Sequence, residues 1–481
     1  MRVKRRATWR NHTGNQAVEP LGICWPETLA DLVGLVAEAR RLETTVRAVG
    51  SGHSWSDVAL CTGLVAETTK LGRPLPLTAM RDDGSLFRAE AGMKIRALNA
   101  ELARSGRALE NLGGYDGQSI AGVVSTATHG SGLSFGPLSD AVRSLDVVAG
   151  DGAVHRIEPS DGPTDPGEFA RELPDWTLHQ DGGWFDAARV GIGCLGLIYA
   201  VTLAVVPAFE LTERRRATTW EEARALISDP EGLRTHLHVE VYLNPYERDG
   251  RRRALITTRE LPDPGADPGS RHRSRLLELV AGRRTTYRLL NLVTDLAPGW
   301  TPFLLDKAIE GLEREAYTNA GYKVFNIGAA NAALAYSSEI GVPVDAAGTH
   351  VRAVERIIEI AERRRTAGGV YHTAPIALRF VRATDACLAM MQGRETMMIE
   401  LILLTDTEGG YELLGTYEDQ LYRFGGRPHW GQVNTLTGSH DFLRSPAMYP
   451  ETYAAWQRIR AQLDPDDVFA GPFTKRLGLT R

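Results

Sequence analysis

The sequence predicts an α+β protein with more than one β-sheet, on three observations. Helix-period and strand-period runs interleave along the chain instead of segregating. The 481 residues are a prior for two or three domains and are ample for a large core. A Pro/Gly-rich stretch at 261–270 must be loop, and it separates a strand-rich part from a basic, helix-like part at 271–317.

The elements follow in order. Pro26-Glu27-Thr28-Leu29 opens a helix, because Pro and an acid suit a helix start, where N–H groups are free. Leu29, Leu32, Val33 and Val36 recur at helical spacing and give it a buried face. Strands are expected over 45–49, 64–68 and 87–91, then a helix over 94–105. Apolar runs at 145–149 and 154–157 flank Gly150-Asp151-Gly152, a hairpin signal. A strand over 197–206 ends at Pro207, and a break is expected near 207–214. Strands are expected within 237–260, at 376–381 and at 397–404. An amphipathic helix fits 351–365, with Val354, Ile357, Ile358 and Ile360 on its apolar side.

Composition excludes several functions. The chain is 43% hydrophobic and 24% charged, ordinary for a globular protein, and its net charge of -5 leaves no footprint for nucleic acid. Arg251-Arg252-Arg253 and Arg363-Arg364-Arg365 have acids nearby and read as solvated faces. Cys24, Cys61, Cys194 and Cys387 lie far apart, so neither a disulfide framework nor a metal site is expected. The basic residues 1–10 precede no apolar run, so they are not a signal peptide. No stretch approaches the ~18–20 apolar residues of a membrane span, and the expected location is the cytoplasm.

Two motifs carry chemistry. Gly50-Ser51-Gly52-His53-Ser54 follows a strand directly. Small residues in succession let backbone N–H groups turn inward and cradle phosphate oxygens. Read alone, the motif is equally a plain turn with an exposed histidine. The second runs from Gly113 to Gly132 and is dense in Gly, Ser and Thr around Ile120, Val123 and Val124. It can lie against a planar ligand while its hydroxyl and N–H groups meet polar edges, or it can be a buried packing segment.

Together the motifs resemble those of the FAD-dependent sugar-lactone and alditol oxidases, a branch of the vanillyl-alcohol-oxidase flavoproteins. Gly50 to Ser54 is similar to the family segment whose histidine bonds the flavin. Thr128-His129-Gly130-Ser131-Gly132 is similar to the end of its second FAD loop, and Gly193 to Pro207 to the strand closing its FAD domain. Arg427-Pro428-His429-Trp430-Gly431 and the run from Leu463 to Phe469 also match. The resemblance implies a bipartite FAD-binding domain at 1–207 and 436–481 around a central α+β cap (substrate) domain at 208–435. It implies FAD held covalently through His53, with Val49, Gly50, Ser51, Gly52, Ser54, Gly114, Ser119, Gly122, Thr126, Thr128, His129, Gly130 and Ile198 around it.

The implied reaction removes a hydride and a proton from an alcohol carbon of a polyol, sugar, lactone or sugar-bearing metabolite. The small-molecule substrate is oxidised, and O2 takes the electrons as hydrogen peroxide. A dehydrogenase using another acceptor and a decayed flavin-binding protein remain alternatives. Arg379 matches the family arginine that supports charge at the ring. Glu400, a lone acid on an apolar strand, matches an active-site position and is a substrate contact or base. His429 beside Trp430 is either a buried structural residue or a ligand contact, and Gln432 stands near it. Two departures stand out: Ala377 and Gln432 occupy positions that are usually Glu and Lys. Hydroxyl selectivity depends on polar partners, so these changes point away from an ordinary aldonolactone or xylitol oxidase.

Overall fold

The helix opened at Pro26 forms as Leu29–Arg41. The Thr28 hydroxyl caps it by accepting from the Asp31 N–H, and Leu32, Leu35, Val36 and Ala39 form its buried face. The computed structural model describes residues 1–263, 291–294, 296–327, 335–437 and 448–480. Residues 264–290 of the expected loop and basic helix lie outside them. Of the remainder of 271–317, Thr301–Gly311 is helical, but strand Arg314–Ala320 begins before 317.

Three sheets organise the described residues. The first has the order Arg2–Lys4, Gly22–Trp25, Leu64–Glu67, Val46–Val49, and its last three strands run parallel. The second has the order Trp176–Gln180, Val154–Glu158, Val142–Val148, Leu197–Ala204, Leu86–Glu90, Pro74–Leu75. The expected hairpin pairs Val142–Val148 with Val154–Glu158. The C-terminal stretch returns to this half. Val46 N–H donates to Val468 O at 2.8 Å, and the buried Arg47 guanidinium donates to the carbonyls of Val58, Ile192 and Phe469.

The third sheet has eight antiparallel strands, in the order Arg314–Ala320, Glu210–Thr219, Arg253–Glu260, His238–Leu243, Ile376–Val381, Thr396–Leu404, Ala335–Pro343, Arg427–Pro428. The helices Thr349–Gly368 and Gly410–Tyr422 pack against its Ala335–Pro343 strand. The break expected at 207–214 is confined to residues 208–209, because strand Glu210–Thr219 occupies the rest of it. Its charged sequence hid it. Glu213 is fully buried, yet it is paired with Arg215 at 2.9 Å and Arg259 at 2.9 Å. Buried charge survives when paired in this way.

One of the contacts that fasten the two halves lies at the end of the second glycine-rich loop. Gly132 N–H donates to Phe380 O at 2.6 Å, and Ser131 O meets His238 Nδ1 at 2.6 Å. Gly132 has φ +124, and a Cβ there would lie 2.4 Å from the Leu237 carbonyl, so only glycine fits. This clasp sets the second glycine-rich loop against the strand that carries Arg379.

Candidate active site

The two glycine-rich segments meet in one cleft. Ser51 Oγ donates to Gly117 O at 2.7 Å. A Cβ on Gly50 would fall 1.9 Å from Ser119 Oγ, so the segments approach as closely as glycine allows. Within the second segment, Ile120–Ser125 forms a short helix that buries Ile120, Val123 and Val124. Its small residues Gly122 and Thr126 face the cleft.

His53 lies on the cleft wall between aromatic rings. Its ring stacks on His12 at 4.9 Å and meets Tyr115 at 4.3 Å. Burial, with His12 alongside, pushes its pKa down to about 4. The imidazole is therefore neutral near neutral pH and keeps a lone pair for bond formation.

The opposite wall is the third sheet. Directly paired residues share a face. Tyr242, Ala377, Glu400 and Glu339 form one transverse row across four strands. Arg379 lies two residues from Ala377 on the same face and pairs with Glu240. Its Nη1 contacts Glu400 Oε2 at 2.7 Å and Glu339 Oε1 at 3.6 Å, and its Nε lies 3.5 Å from Glu240 Oε1. One guanidinium thus serves three carboxylates.

The two facing glutamates titrate apart. Burial raises the Glu400 pKa; Arg379 opposes this and Glu339 adds to it. Burial works against the Glu339 charge too, but His129, His429 and Arg379 overcome it and hold that carboxyl at about 2. Glu339 stays ionised, and Glu400 is the one that takes up a proton.

His429 is placed by its backbone, whose N–H donates to Glu339 O at 2.8 Å, and Gly431 N–H donates to its Nδ1 at 3.1 Å. Burial pushes His429 down to about 4, against the pull of Glu339, so it is neutral and its proton sits on Nε2. Trp430 is fully buried, donating from Nε1 to Leu388 O at 2.6 Å. Ser337 Oγ donates to Gln432 Oε1 at 2.5 Å and lies 3.3 Å from Glu400 Oε1. Trp55 N–H donates to Gly431 O at 2.7 Å, which ties this segment to the loop bearing His53.

The cleft brings together Val49, Gly50, Ser51, Gly52, His53, Ser54, Gly114, Ser119, Gly122, Thr126, Thr128, His129, Ile198, Arg379, Glu400, His429 and Gln432. Gly130 does not line it. A Cβ there would meet Asn111 Oδ1 at 2.3 Å and Leu112 O at 2.6 Å, so it serves close packing. Glu400 is not a lone acid, since Glu339 faces it. The sequence reading missed Glu339, Ser337, Glu240 and His12. Glu339 follows Ser337 and Ser338 and so lacked the unbroken apolar setting that marked Glu400, and nothing local marked the others either.

Residues such as Gly50 and Ser119, which close on each other with no space for a side chain, fit a dinucleotide laid along the cradle. The fold and cleft define an FAD-binding oxidoreductase acting on CH–OH groups. A model for FAD binding domains matches residues 20–158, and a model for D-arabinono-1,4-lactone oxidase matches residues 201–477. The chain belongs to the D-arabinono-1,4-lactone oxidase family.

An L-gulono-1,4-lactone dehydrogenase of Mycobacterium tuberculosis is 30% identical over 98% of each chain. An L-gulonolactone oxidase of Mus musculus is 25% identical over 94% of each. A cholesterol oxidase from Brevibacterium sterolicum shares the fold, with a TM-score of 0.79 at 16% identity over 99% of this chain and 97% of its own. Among the described residues no helix is long and apolar enough to cross a membrane, and no cluster of three metal-ligating side chains occurs.

Proposed function

We propose that the protein carries FAD covalently on His53 and oxidises an alcohol carbon of a sugar lactone to a carbonyl. Support comes from the Arg379–Glu400 pair, 2.7 Å apart, lining the same cleft as a neutral His53. The relatives named for lactones favour that substrate class over polyols at large. We place the FAD-binding domain at 1–207 and 436–481 and the cap at 208–435.

FAD, when bound, accepts the hydride from the substrate carbon. Glu400 accepts the hydroxyl proton, a role for which burial has raised its proton affinity. Arg379 places fixed positive charge beside it, where negative charge develops on the substrate oxygen. Gln432, oriented by Ser337, and the Nε2–H of His429 supply donors and acceptors for the remaining substrate hydroxyls. O2 is the electron acceptor in this reading. The Mycobacterium tuberculosis relative, named a dehydrogenase, favours a second reading with a different acceptor.

The test is turnover of L-gulono-1,4-lactone and D-arabinono-1,4-lactone, followed in parallel by oxygen consumption and by reduction of an artificial dye. Lactone-dependent oxygen uptake supports the oxidase, and dye reduction without it supports the dehydrogenase. Neither signal, with a yellow protein and an alditol panel equally silent, would leave a flavin binder whose catalysis has decayed.

A further inference from the structure

Tyr242 stands at one end of the transverse row that holds Glu400. It pairs with Ala377, and Ala377 pairs with Glu400, so the phenol and the carboxyl share a face with a single methyl between them. Neighbouring strands run about 4.8 Å apart, which puts the Tyr242 and Glu400 backbones roughly 10 Å from each other. Ala377 is nonetheless 1% exposed, so larger side chains beside it close over it. Gln432, bonded to Ser337, is held by the strand on the other side of Glu400.

The Tyr242 hydroxyl is unspent. Among the described residues it makes no hydrogen bond, and the residue keeps part of its surface accessible. Burial, with Glu240 alongside, raises its pKa against the pull of Arg379 and Arg215, so the phenol keeps its proton and remains a donor. Tyr242 and Arg379 act on each other's protonation, so the phenol stands near the guanidinium that lines the cleft.

We propose that Tyr242 is a substrate-contacting residue that selects for a hydroxyl away from the reacting carbon. The hydroxyl being oxidised meets Glu400 and Arg379, and the phenol O–H donates to a second hydroxyl on the side opposite Gln432. With alanine at 377, the polar partner for that second hydroxyl comes from the neighbouring strand. A donor placed for a hydroxyl discriminates against a substrate that lacks it, because the donor is then left unpaired. This deepens the reading of the cleft as a site that oxidises alcohols, and it does not depend on the substrate being a lactone.

The experiment uses holoprotein labelled with 13C at the tyrosine Cζ and kept anaerobic with its flavin reduced, so that ligands bind without turnover. NMR follows the Tyr242 signal, assigned by its loss in Tyr242→Phe. Calorimetry gives Kd for L-gulono-1,4-lactone, for xylitol and for α-hydroxy-γ-butyrolactone, a lactone ring with a single hydroxyl. The expected result is a Tyr242 signal that moves with a polyhydroxy ligand, and a Kd for that ligand about tenfold weaker in Tyr242→Phe. The single-hydroxyl lactone should bind both proteins equally. The unfolding temperature of Tyr242→Phe should match the wild type, because the hydroxyl it loses has no protein partner. A Tyr242 signal that no ligand moves, an unchanged Kd for the polyhydroxy ligands, an equal loss with the single-hydroxyl lactone, or a variant that unfolds well below the wild type would each overturn the proposal. An alditol bound through Tyr242 where lactones do not bind would sink the lactone reading alone.

Discussion

Glu339 and Glu400 stand directly opposite each other on neighbouring antiparallel strands, and Arg379 Nη1 reaches both, at 3.6 Å and 2.7 Å. Two buried carboxyls that share one cation nitrogen cannot both keep full charge without cost. The arrangement divides them into a permanent anion, Glu339, and a titrating group, Glu400.

Arg379 is therefore expected to matter twice. Arg379→Ala removes the cation that Glu339 and Glu400 share and leaves Glu240 with Arg259 alone. Breaking a buried pair costs about 3–5 kcal/mol. Arg379→Ala should lose stability on that scale in denaturant titrations. Arg379→Lys should keep most stability but lower kcat by about 10²–10³-fold, the usual effect of removing a fixed donor.

His53→Ala should abolish covalent flavin while leaving FAD able to bind, because the cradle of Gly50 and Ser119 is untouched. Acid precipitation checks this: colour stays with the wild-type pellet and leaves with the variant's supernatant. Wild-type protein that releases all of its FAD under acid would remove the link.

Ala377 is 1% exposed and pairs directly with both Glu400 and Tyr242. Ala377→Glu alone would set a second buried carboxyl beside Glu400 and should destabilise the fold by about 1–3 kcal/mol, the cost typical of a poorly satisfied buried group. Gln432→Lys in the same chain should recover part of that loss. A thermal-unfolding double-mutant cycle measures the coupling, and additive losses would mean the two positions do not communicate. The double variant should also shift selectivity among lactones and alditols.

Acid should destabilise the protein before its carboxylates are reached. Burial lowers His238 to about 4, His372 to about 3 and His429 to about 4. A lowered histidine binds its proton later in the folded state than in the unfolded chain, whose value is near 6.5. Stability is thus full above about pH 6.5 and falls as the pH drops toward 4, by about 3 kcal/mol per such group. The carboxylates Glu240 and Glu339, held at about 2, add a further loss below about pH 4.3 as their unfolded forms take up protons. Urea midpoints should hold level from pH 8 to about 6.5 and then fall steadily toward pH 4, and a profile flat throughout would contradict these burial effects.

Much of this was legible in the chain. Helix Leu29–Arg41 announces itself through its cap and apolar spacing, and strands such as Ile376–Val381 through unbroken apolar runs. The motif around His53 and the acid at Glu400 pointed to the cleft because each departs from its local pattern. Glu210–Thr219 was illegible because its charges are buried in pairs with residues far along the chain, Arg259 among them. Glu339 gains its meaning only from register, since its facing residue is 61 positions away. The partner of His129 is likewise set by the clasp of Ser131 and Gly132 onto the sheet, which no local spacing encodes.

The most direct test of the central claim is anaerobic mixing of the holoprotein with L-gulono-1,4-lactone, followed at the flavin's visible absorbance, for wild type and Glu400→Gln across pH. The account predicts that the wild type bleaches, at a rate that rises with pH as Glu400 loses its proton. It predicts that Glu400→Gln bleaches about 10²-fold more slowly, with that limb of the profile gone. Wild-type flavin that no sugar lactone bleaches, or bleaching indifferent to Glu400→Gln, would contradict it.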